Sequence, residues 1–118
     1  MYGQNDTIHK PPWDNAPICE HTFIQEQPKF FEDVKKYLAD SIRYPEEAKE
    51  KNIQGTVYVY CVIEKDGSIS HVKILRSDNT ILNKEAIRVI ATMPKWTPAK
   101  EKGVPQRIEY SIAVNFKL

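Results

Sequence analysis

Apolar and polar residues alternate along the last twelve positions of the chain. Every second residue is apolar: Ile108, Tyr110, Ile112, Val114, Phe116 and Leu118. The positions between them are polar or small: Arg107, Glu109, Ser111, Ala113, Asn115 and Lys117. Because successive side chains of a strand point to opposite faces, this pattern predicts one long C-terminal β-strand with a single buried face.

Two earlier stretches predict a β-hairpin. Residues 54–63 are apolar on one face at Val57, Val59, Cys61 and Ile63, and rather apolar on the other at Tyr58, Tyr60 and Val62. Apolar residues on both faces are typical of a central strand. Asp66-Gly67 follows, a strong hairpin turn sequence, so residues 68–77 are predicted to return as the partner strand. The apolar spacing slips after Ile69, which predicts a bulge or a twist near His71.

Helical spacing predicts the first two helices before the hairpin. Apolar residues three or four apart favour a first helix from about Lys29 to Asp40, with the apolar face Phe31, Val34, Leu38 and Ile42. A short second helix is predicted to start at Pro45, because proline suits the first helical position. Asn52 can close that helix in the left-handed conformation. Tyr44 is expected to pack down as an anchor before it.

A third helix is predicted after the hairpin. Asn83 is a favourable N-cap residue, and Pro94 ends the helical pattern. The buried stripe of this helix is predicted to be Ala86, Val89, Ile90 and Met93. An exposed loop over Lys100–Val104 is expected before the last strand.

The first 28 residues show no sustained periodicity. Four prolines interrupt them, which predicts an irregular lead-in over residues 1–28 and a folded domain over residues 29–118. One short strand is predicted at His21–Gln25, and Trp13 is expected to dock on the domain.

These elements together predict an α+β fold with two layers. The hairpin makes the first two strands antiparallel neighbours, and the third helix carries the chain back. The last strand then pairs with the free side of the first, in a three-stranded antiparallel sheet of order 2-1-3 with two to three helices on one face. The last strand is left as an edge without an internal proline. Such an edge is either an aggregation hazard or a binding site.

Composition and charge exclude several function classes. The chain has 118 residues, a net charge of +1 with acids and bases intermixed, and 41% hydrophobic residues. One modest core fits this composition, whereas a nucleic-acid-binding protein needs a concentrated basic face. No apolar run approaches the roughly 20 residues of a membrane helix, and no secretory signal is evident at the N-terminus. A cytosolic protein and a protein trimmed of an anchor or signal both remain open.

The reactive residue types do not form a convincing catalytic or metal site. Cys61 falls on an inward strand position, where cysteine acts as a small hydrophobe, and a Cys19–Cys61 bridge stays an open alternative. His9, Cys19 and His21 match no strong zinc spacing. The four glycines are scattered, so no phosphate loop is predicted. We therefore predict no catalytic residues, no metal and no cofactor.

The ordered motifs of the chain resemble the C-terminal domain of TonB energy transducers. They comprise Tyr44-Pro45, Ala48, Gly55, Val57, Val59, Asp66-Gly67, Val72 and Ile74, then Leu82, Glu85-Ala86, Met93-Pro94-Lys95-Trp96, Pro98, Gly103, Pro105 and Val114-Asn115-Phe116. The endings Met-Pro-Lys-Trp-Thr-Pro and Val-Asn-Phe-Lys-Leu resemble the version found in Bacteroidota. The resemblance covers about Phe30 to Leu118.

This resemblance implies a periplasmic domain that docks the TonB box of outer-membrane TonB-dependent transporters by β-strand addition. It implies transmission of proton-motive energy for nutrient uptake, with an inner-membrane ExbB/ExbD-type complex as partner if a membrane anchor exists. The expected docking edge is Arg107, Ile108, Glu109, Tyr110, Ser111, Ile112, Ala113, Val114 and Asn115, with Tyr44 and Pro45 nearby as weaker candidates. A strand-exchanged homodimer is a further expectation.

The N-terminal part departs from the family pattern. A full transducer carries a membrane helix and a proline-rich spacer, and residues 1–28 resemble neither. Two interpretations follow: a domain cut from a longer transducer, or a stand-alone periplasmic interaction or regulatory domain without its own energy-coupling anchor.

Overall fold

The computed structural model describes residues 17–118. Its helices and strands follow in the order α1 (Val34–Ser41), α2 (Glu46–Glu50), β1 (Gly55–Ile63), β2 (Ile69–Ser77), α3 (Asn83–Ala91), β3 (Ala99–Glu101), β4 (Val104–Gln106) and β5 (Ile108–Phe116). Short 3₁₀ helices occupy His21–Phe23 and Thr80–Leu82.

The main sheet has three antiparallel strands in the order β2-β1-β5. This confirms the predicted fold class and the central position of the first strand. Strand β1 pairs with β5 in unbroken register from Gly55↔Phe116 to Ile63↔Ile108. The long last strand therefore lies at one edge of the sheet, as its alternating pattern predicted.

One face of the sheet is buried under the helices. Val57, Val59, Cys61 and Ile63 of β1 are fully buried, as are Ile108 and Val114 of β5. Helix α3 and the turn after it supply the predicted stripe: Ala86, Val89 and Ile90 of the helix and Met93 just beyond it are all buried. Burial of this apolar face is the main force that holds the two layers together.

The first helix starts later than its spacing predicted. Helix α1 begins at Val34, and the Asp33 side chain caps it by accepting a 2.9 Å hydrogen bond from the Lys35 N–H. Lys29 instead exchanges two backbone hydrogen bonds with Thr97, which requires an extended backbone. Phe31 lies before the helix and is 69% exposed. The predicted start at Lys29 is therefore wrong.

The second helix follows its prediction closely. Pro45 is the residue immediately before Glu46–Glu50, and Asn52 adopts the left-handed conformation at φ 58°. The third helix begins at Asn83, as expected, but Asn83 is not its N-cap residue. Asn83 is already helical, because Thr80–Leu82 leads directly into α3 and the Asn79 side chain accepts from the Ile81 N–H at 3.0 Å. The predicted N-cap role of Asn83 is wrong.

The prediction is confirmed for the β1–β2 hairpin and is wrong for the β3–β4 hairpin. A register shift opposite Cys61 and a positive φ of 53° at His71 confirm the predicted bulge in β2. The predicted exposed loop over Lys100–Val104 is wrong, because β3 and β4 pair there as a second, two-stranded sheet. Lys102 and Gly103 both have positive φ and form its tight turn. Strands of three residues are too short to show a period.

The segment before α1 is held on the domain by isolated backbone pairs. Cys19 forms a parallel bridge with Ile108, and Glu26 forms an antiparallel bridge with Lys100. Between them lies the 3₁₀ turn His21–Phe23, so the short strand predicted at His21–Gln25 is wrong. Trp13 and His9 lie outside the described residues. The division at residue 28 stays a prediction.

Candidate binding edge

Alternate residues of β5 turn their backbone groups away from the sheet. In an antiparallel ladder, the N–H and C=O of one residue point toward the same neighbour, and the next residue points the other way. Arg107 and Glu109 both offer their carbonyls on the side opposite β1, as their bonds to the lead-in show. By the same alternation Ser111, Ala113 and Asn115 present their N–H and C=O groups on that side. The even-numbered residues of β5 point their N–H and C=O groups toward β1: Ile108, Tyr110, Ile112, Val114 and Phe116.

The beginning of this edge is covered by the lead-in. The Cys19 N–H donates to the Arg107 carbonyl at 2.9 Å, and His21 Nε2 lies 2.8 Å from the Glu109 carbonyl oxygen. Arg107 and Ile108 are themselves buried. Of the predicted docking edge Arg107–Asn115, the first third is therefore already in contact with another part of the chain.

The remainder of the edge is open along the described residues. Within residues 17–118 no strand or bridge pairs with Ser111, Ala113 or Asn115 on the side away from β1. Their side chains are exposed, while Ile112 and Val114 between them are buried. The open edge, Ser111–Asn115, is about 17 Å long at roughly 3.4 Å a residue.

A cleft marks the point where the covered part of β5 meets the open edge. It has a volume of about 400 Å³ and is lined by His21, Tyr60, Glu109, Tyr110 and Ser111. The Tyr60 hydroxyl donates to Glu109 Oε2 at 2.7 Å. Desolvation and this hydrogen bond raise the pKa of Tyr60 to about 12.

The opposite edge of the sheet is poorly suited to a guest strand. Strand β2 is shifted in register at two places, one opposite Cys61 and one where Leu75 has no partner on β1. Bulges twist an edge and interrupt its row of hydrogen-bonding groups, which is a common protection against strand pairing. The two edges therefore differ, and β5 is the regular one.

The weaker candidates Tyr44 and Pro45 lie at the far end of β5. The Tyr44 ring meets the Phe116 ring edge-on at 5.7 Å between centroids, and its hydroxyl donates to the Ile53 carbonyl. Pro45 is the N-cap residue, immediately before α2. Both are near the end of the open edge, and Tyr44 has a packing role that confirms the anchor prediction.

Other aromatic and reactive side chains have mainly structural surroundings. Tyr58 and Tyr60 lie on the uncovered sheet face, where Arg76 and Lys73 stack over their rings at 5.5 and 4.7 Å. Trp96 is 5% exposed and contacts Phe30 and Tyr110. Both cysteines are free thiols. Among the described residues, no three His, Cys, Asp or Glu side chains gather as a metal site would require.

The contacts of Cys19 and His21 with this edge were not expected from the sequence. Their role depends on a contact between residues about 88 positions apart in the chain, His21 with Glu109. The lead-in has no periodic pattern that would place it against one particular strand. Only the folded arrangement shows where the covered part of β5 ends.

Comparisons with known proteins agree with the geometry. A family model described as "Gram-negative bacterial TonB protein C-terminal" matches residues 40–118. Two proteins called Protein TonB, from Helicobacter pylori strains 26695 and J99, are 31% and 30% identical over 81 residues, 68% of this chain. The matches cover 28% and 29% of those proteins, so the chain spans less than a third of their length.

Solved structures show the same fold. A solution structure of the Helicobacter pylori TonB C-terminal domain is similar with a TM-score of 0.55 and 25% identity, covering 71% of this chain and 88% of that one. The solution structure of the Pseudomonas aeruginosa TonB C-terminal domain has a TM-score of 0.55 at 20% identity, covering 86% of this chain and 93% of that one. The second likeness concerns the fold alone.

Proposed function

Because this chain belongs to the family of Gram-negative bacterial TonB protein C-terminal domains, we propose that it binds an extended peptide along the open edge of β5. The proposed guest is the TonB box of an outer-membrane TonB-dependent transporter. The guest strand adds to β5 as a fourth strand of the sheet. In a periplasmic setting this contact passes proton-motive energy to nutrient uptake.

The observation that carries this proposal is the unpaired backbone of Ser111, Ala113 and Asn115 among the described residues. Each offers one N–H and one C=O to a neighbouring strand. Main-chain pairing of this kind supplies affinity with little dependence on the guest sequence, while side-chain pockets add specificity. One domain can therefore serve several transporters.

The surroundings of the open edge favour a guest with alternating side chains. On the helix side of the sheet a guest residue would lie next to Tyr110, Ile112 or Val114, which are apolar and at least half-buried. On the other side it would lie next to the exposed Ser111, Ala113 and Asn115. We therefore expect apolar guest residues at every second position and polar ones between them.

The same pairing suits a protein that transmits force. If the pull runs along the strand, several backbone hydrogen bonds are loaded together rather than one after another. Coupling to the proton-motive force would come from an inner-membrane partner of the ExbB/ExbD type, reached through an anchor. In residues 17–118, no helix has the length and apolar character needed to cross a membrane.

The direct test is a proline in the open edge. Ala113 lies opposite Tyr58, and its N–H points away from β1, so Ala113→Pro removes a docking donor without removing a bond inside the sheet. Ala113→Val is the matched control, because valine keeps the N–H and favours strands. Titration with TonB-box peptides, followed by backbone amide shifts, should show binding to the wild type and to Ala113→Val and none to Ala113→Pro.

Circular dichroism checks that the proline variant keeps its fold. A folded Ala113→Pro protein that still binds the peptide at wild-type affinity would overturn the proposal.

Sedimentation of the free protein tests whether the same edge also forms a homodimer. If two copies pair through β5, the wild type should dimerise at high concentration and Ala113→Pro should remain monomeric.

A further inference from the structure

Two lead-in residues, Cys19 and His21, cover the beginning of the edge that faces away from β1. Arg107 and Glu109 precede Ser111, Ala113 and Asn115 in the series of residues that face away from β1. The Arg107 carbonyl already accepts from the Cys19 N–H, and the Glu109 carbonyl already has His21 Nε2 at 2.8 Å. A guest strand that extended toward Arg107 would find both carbonyls in use.

The lead-in leaves the edge after this contact. Cys19 pairs with β5 through its backbone, whereas His21 reaches it only through its ring. The chain turns at His21–Phe23, where the Ile24 N–H donates to the His21 carbonyl, and continues to the bridge between Glu26 and Lys100. The imidazole of His21 thus forms one wall of the cleft beside Ser111, and the open edge starts there.

We propose that Cys19 and His21 are specificity-determining residues that set the length and register of the guest strand. This inference rests on the proposed function. The two residues form an end stop: a guest pairs with Ser111–Asn115 and ends at the cleft. Residues of a longer guest that extend past Ser111 make no backbone pairs with β5 while the lead-in is in place. The favoured guest is therefore a short extended segment of about five residues, matched to the open edge.

Both contacts of the end stop can be removed separately. Cys19→Pro deletes the N–H that binds the Arg107 carbonyl, and Cys19→Ser is its matched control because it changes only the thiol. His21→Ala deletes the ring that binds the Glu109 carbonyl. Neither residue belongs to the open edge itself, so the Cys19→Pro/His21→Ala variant keeps the pairing groups of Ser111, Ala113 and Asn115.

The experiment compares two lengths of one peptide on the full chain. The probes are a capped five-residue TonB-box peptide of a Bacteroidota transporter and the same peptide extended to nine residues in the direction of Arg107. The wild type and Cys19→Ser should bind both with the same Kd. The double variant should bind the short peptide as the wild type does and the long one about tenfold more tightly, the effect of two ordinary hydrogen bonds.

Backbone amide shifts locate the guest in each case. The long peptide should perturb Ser111–Asn115 in the wild type and additionally Ile108 and Glu109 in the double variant. If the wild type gains as much affinity from the longer peptide as the double variant does, the end stop is disproved while the proposed function stands. If neither peptide binds any of the proteins, the proposed function fails and this inference with it.

His21→Ala alone guards against a folding defect in the proline variant. It leaves the backbone of the lead-in unchanged, and it should give an intermediate gain of a few fold for the long peptide only. An equal gain for both lengths would contradict the end stop, because it would show a general effect of His21 on the cleft.

Discussion

The guanidinium of Arg107 lies directly against the carboxylate of Glu64. Nε is 2.7 Å from Oε1 and Nη2 is 3.1 Å from Oε2, and the two side chains are 4% and 2% exposed. Glu64 immediately follows β1 and Arg107 immediately precedes β5, so this ion pair joins the ends of two neighbouring strands. The Ser70 hydroxyl donates to the same carboxylate.

Removal of the Glu64 carboxylate should destabilise the fold strongly. Breaking one side of a buried ion pair typically costs about 3–5 kcal/mol, because a charge stays buried without that counter-charge. We expect a loss of this size for Glu64→Ala in urea unfolding. Glu47→Ala is the control, since its 3.0 Å pair with Lys51 is more than half exposed and should contribute less than about 1 kcal/mol. Similar losses in both variants would contradict the structural role of the Glu64–Arg107 pair.

Gly67 should tolerate no side chain. It has a φ of +87°, and a Cβ there would lie 1.8 Å from the Trp96 carbonyl oxygen. The Trp96 N–H also donates to the Gly67 carbonyl at 2.9 Å, so neither backbone can withdraw freely. Gly67→Ala should therefore lower the free energy of unfolding by clearly more than the roughly 1–2 kcal/mol that left-handed backbone alone costs an alanine.

Gly103 provides the matched comparison for that substitution. Its φ is +78°, but a Cβ would meet nothing within 4 Å. Gly103→Ala should cost only the conformational part, about 1–2 kcal/mol. Equal costs at the two glycines, measured by thermal or urea unfolding, would show that the contact with Trp96 does not constrain the hairpin turn.

Alkaline pH should unfold the domain through Cys61 and Tyr60. Burial raises the pKa of the Cys61 thiol from 9.0 to about 12, and desolvation with the Glu109 hydrogen bond raises that of Tyr60 from 10.0 to about 12. Between these values the unfolded chain loses protons that the folded chain keeps, so stability falls as pH rises. The free energy of unfolding should begin to decline near pH 9 and should continue to fall toward pH 12.

Cys61→Ala isolates the thiol in this titration. The variant should be less stable at neutral pH, because a small cavity replaces the sulfur. Its stability should nevertheless decline less steeply above about pH 9, because the unfolded variant no longer loses a thiol proton at position 61 that the folded chain keeps. Parallel pH profiles for the two proteins would rule out the buried thiol as a source of the alkaline sensitivity.

Tyr44→Phe should separate anchoring from peptide docking. The substitution removes the hydroxyl that donates to the Ile53 carbonyl but keeps the ring against Phe116. A lost hydrogen bond of this kind costs about 0.5–1.5 kcal/mol. We expect that decrease in unfolding free energy with an unchanged Kd for a TonB-box peptide. A large loss of affinity with unchanged stability would instead place the Tyr44 hydroxyl in the docking site.

Local sequence patterns were sufficient to predict most of the architecture. Alternation in residues 107–118, two apolar faces on residues 54–63 and the Asp66-Gly67 turn predicted the sheet and its order, because strand side chains have a period of two. The spacing of Ala86, Val89, Ile90 and Met93 predicted the buried face of α3 for the corresponding helical reason. The motifs in the same stretches supplied the family resemblance.

Element starts and short strands were predicted less well. Lys29 precedes a run of apolar residues at helical spacing, but its backbone pairs with Thr97, a residue far along the chain. Asn83 is a favourable N-cap residue, yet Asn79 takes that role because the 3₁₀ helix Thr80–Leu82 leads directly into α3. At Lys29 a contact made by the folded chain outweighed a local preference, whereas at Asn83 a cap two residues before Ile81 replaced the predicted one.

By itself the sequence determined that the last strand is regular and lies at the edge of a helix-covered sheet. That result needs only the period of the apolar residues and the order of the helices and strands. Only the tertiary structure decided how much of the β5 edge is available for pairing. The bonds of Cys19 to Arg107 and of His21 to Glu109 join segments about 88 residues apart. No local pattern encodes such a contact, since it depends on where the whole fold places an irregular segment.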